Sequence, residues 1–487
     1  MTMIFLNISN RLKALSAAVL ATALLGSCTK DFVETNKDPN RLESITPGTL
    51  LNPTIYDGAS YGMSRSRSFT FELMQVAGGY PNESVEDQAY LYDFREDIGN
   101  GIWNTYYQGL ANAREMELSA IKLGNNNYLA ISLTLKAWFY SILTDCFGDI
   151  PMSNALNGEQ GTFFPAFDKQ EVIYKTILAD LEKANTLYGT GPATMYAPDI
   201  LFNNDLTKWR KFTNSLRLRL LLRTLKRLPG NADIMSAMLQ DATKYPIFQS
   251  NAEAAVLSIT GTTPNISPWS RPQDFSTGRV YFDFFVSNLS NFKDPRLALF
   301  AGQAKDKNNK NIGYKGLPVN YMESPTSVNY SPSGLLQRLV IAPMIAPILS
   351  YAEVELIQAE LAQRNIIPAA TAEEHYQKGV KAAIEMWGGV MPDNYFTLES
   401  TKYDGTLDRI MLQKYYALFF TDYQQWFEHR RTGLPVLPTT TFMYNDRKMP
   451  TRLYYPTTAR IYNTDNYLKA VEQMGGDKIN IKVWWEQ

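Results

Sequence analysis

The chain has 487 residues, 45% hydrophobic and 20% charged, with 47 Lys and Arg against 48 Asp and Glu for a net charge of −1. That balance excludes a disordered chain and leaves no basic excess to attract nucleic acid; two cysteines, Cys28 and Cys146, are too few for a disulfide scaffold. Aromatic residues reach 13%, and Tyr (29) outnumbers Phe (24) and Trp (8), so the surplus is of the type that tolerates a half-wet surface.

Arg11 and Lys13 precede an apolar run over 14–25 that is too short to span a bilayer comfortably, which reads as an export signal over residues 1–27. It ends in Leu25-Gly26-Ser27-Cys28, a large apolar residue and two small ones before cysteine. This is the lipobox pattern, and it marks the Cys28 thiol for diacylglycerol, with further acyl chains such as palmitate making a stable anchor. Lys30 beside Asp31 and Glu34 resembles the tag that sends lipoproteins to the outer face of the outer membrane. Residues 28–47 then read as a polar lipidated tether. No later apolar run reaches membrane length.

Helical periodicity begins at about 101–123 and continues at 128–146, where Leu129, Leu133, Leu135, Trp138, Phe139, Ile142 and Leu143 make a helix apolar nearly all round. Phe147-Gly148-Asp149-Ile150-Pro151 breaks it. A third helix is expected from Asp168, with Glu171 three residues on, to Gly189, and a fourth over 205–228. The fourth alternates Leu with Arg210, Lys211, Arg217, Arg219, Arg223, Lys226 and Arg227, a pattern that favours a solvated or salt-bridged face over an anion site. Between Pro246 and Pro347 the periodicity dissolves into Pro, Gly, Asn and Ser with isolated aromatics. That is too long for an ordinary connection, and long insertions on a rigid scaffold usually carry binding function.

The stretch 350–435 holds three helix signatures. Ser350-Tyr351-Ala352-Glu353 and Thr371-Ala372-Glu373-Glu374 have capping-box spacing, and Gly388-Gly389 stops the second helix. The third opens near Thr406 or Asp408 and carries Leu412, Tyr415, Tyr416, Phe419, Tyr423, Trp426 and Phe427 at spacings of three and four, ending at Gly433 and Pro435. Short connections make such helices antiparallel neighbours. The expected fold is mostly α: a scaffold of helical hairpins in the manner of tetratricopeptide-like repeats, with a second irregular, loop-rich subdomain.

At this point a set of short motifs matches a known family in order. The pieces are Trp209-Arg210-Lys211-Phe212, Asp294-Pro295-Arg296, Tyr314-Lys315-Gly316-Leu317-Pro318, Ser350-Tyr351-Ala352-Glu353-Val354 and the run from Trp426 through Arg430-Arg431 to Pro435. Tyr454-Tyr455-Pro456, Gly475-Gly476-Asp477 and Trp484-Trp485 complete the set. With the lipobox and residues 147–151, the chain resembles the SusD/RagB nutrient-binding outer-membrane lipoproteins of the SusD-like branch. The resemblance implies a fold of four helical-hairpin repeats with an irregular ligand-binding subdomain, set as a lid over a TonB-dependent, SusC-like outer-membrane transporter to which captured oligosaccharide or peptide is passed. It implies localisation at the outer membrane through the lipid, exposed at the cell surface. It transfers no binding residue, because the aromatics that contact glycan vary in position among paralogues. The expected organisation is a signal at 1–27, the tether at 28–47 and one domain at 48–487, with the scaffold at about 101–230 and 348–435. The irregular subdomain lies at about 246–347, joined by the C-terminal segment 436–487.

Competing classes are a surface-anchored hydrolase and a structural adhesin without a small ligand. Gly58-Ala59-Ser60-Tyr61-Gly62 satisfies G-x-S-x-G, but its flanks show no buried strand, and the two histidines, His375 and His429, both fall on expected helices. No zinc, phosphate-loop or EF-hand pattern is present, so no cofactor, metal or enzymatic activity is expected. Aromatics in polar, breaker-rich stretches are then the ligand candidates: Trp103 and Trp269 as leads, helped by Tyr92 and Tyr281, with Asn82, Asp93 and Asn104 near enough in sequence to take hydroxyls.

Overall fold

A computed structural model describes residues 46–80 and 88–487 of the chain, and Pro47–Gln487 forms one unit. The export signal, Cys28, most of the tether and Asn82 lie outside the described residues. The first helix, α1 (Pro47–Arg65), was not legible as a periodic stripe because its buried face is built from small residues, including Gly58, Ala59 and Gly62. A Cβ on Gly58 would stand 2.6 Å from Phe139 Cε1, and one on Gly62 3.0 Å from Asp422 Cβ. The G-x-S-x-G run is therefore helical and serves close packing; it has no strand before it and is not a nucleophile elbow.

A π-turn at Ser66–Thr70 and a short strand, β1 (Ala77–Gly79), follow. The scaffold then runs through α2 (Asn100–Lys122), α3 (Asn126–Phe147), α4 (Gln170–Leu187) and α5 (Leu206–Arg223), each packed on the next. Twenty of the residues of α3 are buried, as expected for a helix apolar all round. Its N-terminus is capped by Asn125, whose side chain accepts from Tyr128 N at 3.2 Å, and Asp205 likewise caps α5. Asp168 does not cap α4. Its carboxylate instead holds the amides of Met152 and Ser153, and Asp149 reaches across to accept from Gln170 N at 2.8 Å. A carboxylate 21 residues away takes the capping role because residues 150 and 168 are bridged.

After α6 (Asn231–Gln240), the irregular insertion opens and closes on paired strands. In the antiparallel pair β2 (Ala255–Ile259) and β4 (Met344–Leu349), Leu257 faces Ala346. Within it, β3 (Arg279–Tyr281) pairs antiparallel with β1, Gly78 facing Val280, and leads into α7 (Asp283–Asn291). Hydrogen-bonded turns satisfy much of the remaining backbone, including the 305–311 hairpin in which Asp306 accepts from Asn308 N and Lys310 N. Among the described residues no group of acidic, His or Cys side chains could hold a metal ion.

The scaffold resumes with α8 (Tyr351–Gln363) packed on α9 (Ala372–Met386), and both on α10 (Leu407–Ala417). Ser350 caps α8 by accepting from Glu353 N at 3.1 Å. The reciprocal half of the box is missing because the Glu353 carboxylate is taken by Arg219 at 2.5 Å. Thr371 makes no cap; its hydroxyl donates to Pro368 O within a preceding 3-10 turn. The long third helix expected over 406–431 is two, α10 and α11 (Gln424–Thr432), because Phe420 and Asp422 adopt positive φ. That break lets the adjacent Phe419 and Phe420 both pack on Phe71, and Ser66 and Thr70 hydroxyls donate to Asp422 O at 2.8 Å. Gly433 ends α11 in the left-handed conformation. The C-terminal segment, expected to be irregular, contains α12 (Thr457–Tyr462) and α13 (Thr464–Met474).

The basic face of α5 is salt-bridged and, in large part, inside. Arg219 pairs with Glu353, and Arg223 with Asp145 at 2.5 Å and Glu428 at 3.2 Å. Arg431 grips Glu360 with two bonds of 2.6 Å, Lys414 holds Glu428 at 2.7 Å, and Arg430 reaches Glu486 at 2.7 Å. Buried charges persist only when paired and hydrogen-bonded, and here the pairing joins α3, α5, α8, α10, α11 and the last residues of the chain.

Candidate functional site

The connection between α3 and α4 leaves the scaffold at Pro151 and returns at Asp168, its base pinned by the Ile150–Asp168 bridge and the Asp168 carboxylate. Its outer part carries Phe163 and Phe164, 71% and 66% exposed. Two neighbouring Phe side chains left in water form a contiguous apolar patch, which marks a contact surface more often than scattered single residues do. The loop is held from the far side: Asn463 donates to Pro165 O at 2.7 Å and Asn466 to Phe164 O at 3.1 Å. These bonds bring Tyr462, 70% exposed, to the same place.

Between loop, α12 and the start of α2 lies a groove of about 330 Å³, lined by Trp103, Tyr107, Phe163, Phe164, Phe167 and Tyr462 among others. Trp103 is half-buried at its floor. Its indole lies 4.7 Å from the Tyr107 ring and meets Phe147 edge-on at 5.3 Å and Tyr455 at 6.4 Å. Tyr107 is fixed by donating its hydroxyl to Pro151 O at 2.6 Å. Burial pushes the Tyr107 phenol well above its ordinary pKa, so it stays a neutral donor. No charged side chain lines the groove. The arrangement offers aromatic planes and edges with Thr458 and Asn463 as the polar lining, which suits the C–H face of a sugar ring and provides no acid–base pair.

Of the sequence candidates, only Trp103 lies in this groove. Trp269 is half-buried elsewhere, edge-on to Phe275 at 5.3 Å and Phe420 at 6.2 Å, and shares no ring contact with the Trp103 cluster. Tyr281 is fully buried, stacked on Phe285 at 5.1 Å with its hydroxyl donated to Phe300 O, and Tyr92 is 3% exposed. Neither has a ring face open to a ligand: both pack the insertion and the approach to α2 into the core, and Tyr92 needs a left-handed backbone to do so. Asn104 is exposed beside Trp103 and Asp93 is half-buried, neither lining the groove. The residues missed, Phe163, Phe164 and Tyr462, satisfy the same criterion of aromatics among breakers, in Gly161-Thr162-Phe163-Phe164-Pro165. They were legible, but the loop they occupy is shorter than the insertion that drew attention.

Residues 39–456 match the sequence model of a SusD-like family described as starch-binding and associating with the outer membrane. No curated protein matches the chain. Among solved structures, a SusD homologue from Bacteroides fragilis is 24% identical with a TM-score of 0.76, covering 91% of this chain and all of its own. A chitin-binding SusD homologue from Flavobacterium johnsoniae is 21% identical with a TM-score of 0.74, over 89% of this chain and 98% of its own. At such identities the likeness shows a shared fold.

Proposed function

The chain belongs to the SusD-like family of starch-binding proteins that associate with the outer membrane, and from that premise we propose that it is a cell-surface nutrient-binding lipoprotein. In this reading it captures oligosaccharide on the aromatic groove beside Trp103 and passes it to a TonB-dependent, SusC-like transporter. The observation that carries the proposal is the exposure of Phe163, Phe164 and Tyr462 around one uncharged groove. Glycan is favoured over peptide by the family description and by chitin binding in a relative of the same fold. The groove's lining holds no carboxylate pair of the kind glycoside hydrolysis uses, and Ser60 sits within a helix. Anchoring through Cys28 accords with the lipobox and with the described residues containing no helix long and apolar enough to cross a membrane.

The test is calorimetric titration of the purified protein with maltoheptaose, chitohexaose and a tripeptide series. Phe163→Ala combined with Phe164→Ala should weaken the bound glycan by about 1–3 kcal/mol, as expected for loss of anchoring aromatic contacts, with Tm unchanged because both side chains are exposed. Undiminished glycan binding by that variant places the ligand elsewhere.

A further inference from the structure

The loop that carries Phe163 and Phe164 has a second face. Ala155 and Leu156 line the aromatic groove and also, with Met152, a separate cavity of about 290 Å³ walled by α2, α3 and α4. Each helix contributes residues about one turn apart: Leu110, Arg114 and Glu117 from α2, Lys136 and Tyr140 from α3, Thr176 and Asp180 from α4. Lys136 marks the place along the chain. Among the 22 residues of α3, only Asn126 at its start and Lys136 escape burial, so an otherwise apolar helix sets a charge where the cavity opens.

Four charged side chains surround this space, all half-buried: Arg114 and Lys136 against Glu117 and Asp180. Lys136 and Glu117, each 20% exposed, pair at 2.7 Å. Arg114 and Asp180 are left over. Neither makes a hydrogen bond or ion pair with the described residues, and they do not reach each other. Both nevertheless stand near one hydroxyl. Burial, with Asp168, raises the Tyr140 phenol above its ordinary pKa; Arg114 opposes the rise, and Glu117 and Asp180 add to it. Burial also raises the Asp180 carboxyl even with Lys136 in reach, which agrees with a carboxylate withdrawn from water and given no hydrogen-bonded cation. A guanidinium and a carboxylate that share a cavity without touching are each short of the partner that desolvation calls for. A ligand of one sign would satisfy one and face the other as a like charge. A small molecule carrying both signs satisfies both.

We propose that the cavity between α2, α3 and α4 is a site for a small zwitterion, an α-amino acid with an apolar side chain, whose carboxylate is held by Arg114 and whose ammonium is held by Asp180. The planar guanidinium offers the carboxylate a two-pronged grip, and the neutral Tyr140 hydroxyl is a further donor beside it. Leu110, Met152 and Leu156 supply the apolar wall for the side chain. The cavity lies at the small end of ligand pockets, which start at about 300 Å³, and so suits a single amino acid. The site uses none of the aromatics of the groove and stands independently of the saccharide reading above.

Calorimetric titration of the purified protein with three probes tests the assignment: L-leucine, isocaproate, which keeps the carboxylate and lacks the ammonium, and isoamylamine, which keeps the ammonium and lacks the carboxylate. Leucine should bind about ten-fold or more tighter than either analogue, since each loses one charge-assisted hydrogen-bonded contact. Arg114→Gln should reduce leucine to the affinity of isoamylamine, and Asp180→Asn to that of isocaproate, with glycan titration unchanged in both variants. The comparison of probes on the parent protein holds whatever the substitutions do to folding, and melting curves of the variants show whether a loss of binding is local. Equal affinity for the three probes, no binding of leucine at millimolar concentration, or leucine binding indifferent to both substitutions overturns the site. Each of those results leaves the glycan groove standing, and a failure of the groove to bind glycan leaves the leucine result standing.

Discussion

Asp422 shows how much one residue can be asked to do. It stands at the break between α10 and α11 with a φ of 35°, its carbonyl accepts from Ser66 and Thr70, and its carboxylate accepts from Tyr423 N and Gln424 Nε2. Burial drives its pKa up to about 6 despite Arg219 nearby, with Glu353 pushing in the same direction as burial. The folded pKa therefore exceeds the unfolded one, about 3.9. The native state holds the proton more tightly, so this contribution to stability is fully present below about pH 4 and is lost as pH rises through 6. Asp422→Asn keeps the acceptor for Tyr423 N and suits a positive φ. It should raise stability at pH 7.5 by on the order of 1–3 kcal/mol and make no difference at pH 4, measured by urea unfolding at both. His429 is the opposite case: burial lowers its pKa to about 4, so it is neutral at physiological pH and brings no charge into the ion-pair cluster beside it.

At the level of elements, the same four-residue pattern has two outcomes. Ser350 and Thr371 were equivalent as sequence, yet Ser350 caps α8 and Thr371 caps nothing. The difference lies upstream. Ser350 leaves a β-strand in extended conformation, as a cap requires, whereas Thr371 ends a 3-10 turn and is already helical, with φ −89° and ψ −5°. Ser350→Ala should cost about 1 kcal/mol and Thr371→Ala close to nothing, read as shifts in urea midpoint at constant slope. Ser60→Ala should likewise have no chemical consequence: ester and glycoside hydrolysis by the purified protein should be absent before and after the change.

Across the whole molecule, the motifs that carry the family resemblance turn out to be the joints of the scaffold. Arg296 clasps Asp294, which also accepts from Tyr395; Arg452 holds Asp477; Trp485 donates its indole N–H to Asp145 at 2.7 Å. Arg431 sits between Glu360 and Glu428: burial alone would raise both carboxyls, but Arg431, with Lys414 beside it, holds both below the ordinary carboxylate range. Arg431→Ala would leave buried carboxylates short of a partner and should cost about 3–5 kcal/mol, and Arg431→Lys should recover only part, lacking the two-pronged geometry. Chemical denaturation of the three proteins checks both statements. Cys28→Ala should abolish fatty-acid labelling and release the protein from the outer-membrane fraction; retention at the surface in a strain lacking the transporter would reject the lipid anchor.

The sequence by itself determined the mostly helical class, the family and the burial of α3, because each depends on local periodicity or on an ordered run of motif residues. Tertiary structure decided which aromatics reach solvent. Tyr92, Tyr281 and Trp269 look as available in sequence as Phe163 and Phe164, but exposure depends on what packs from elsewhere in the chain: Phe285 over Tyr281, and Phe275 and Phe420 against Trp269. The α10–α11 break was hidden for the same reason, its stabilising partners Ser66 and Thr70 lying more than 350 residues away. So was the fate of the basic residues of α5, since a helix face rich in Arg reads as solvated until carboxylates from α3, α8 and α11 close over it.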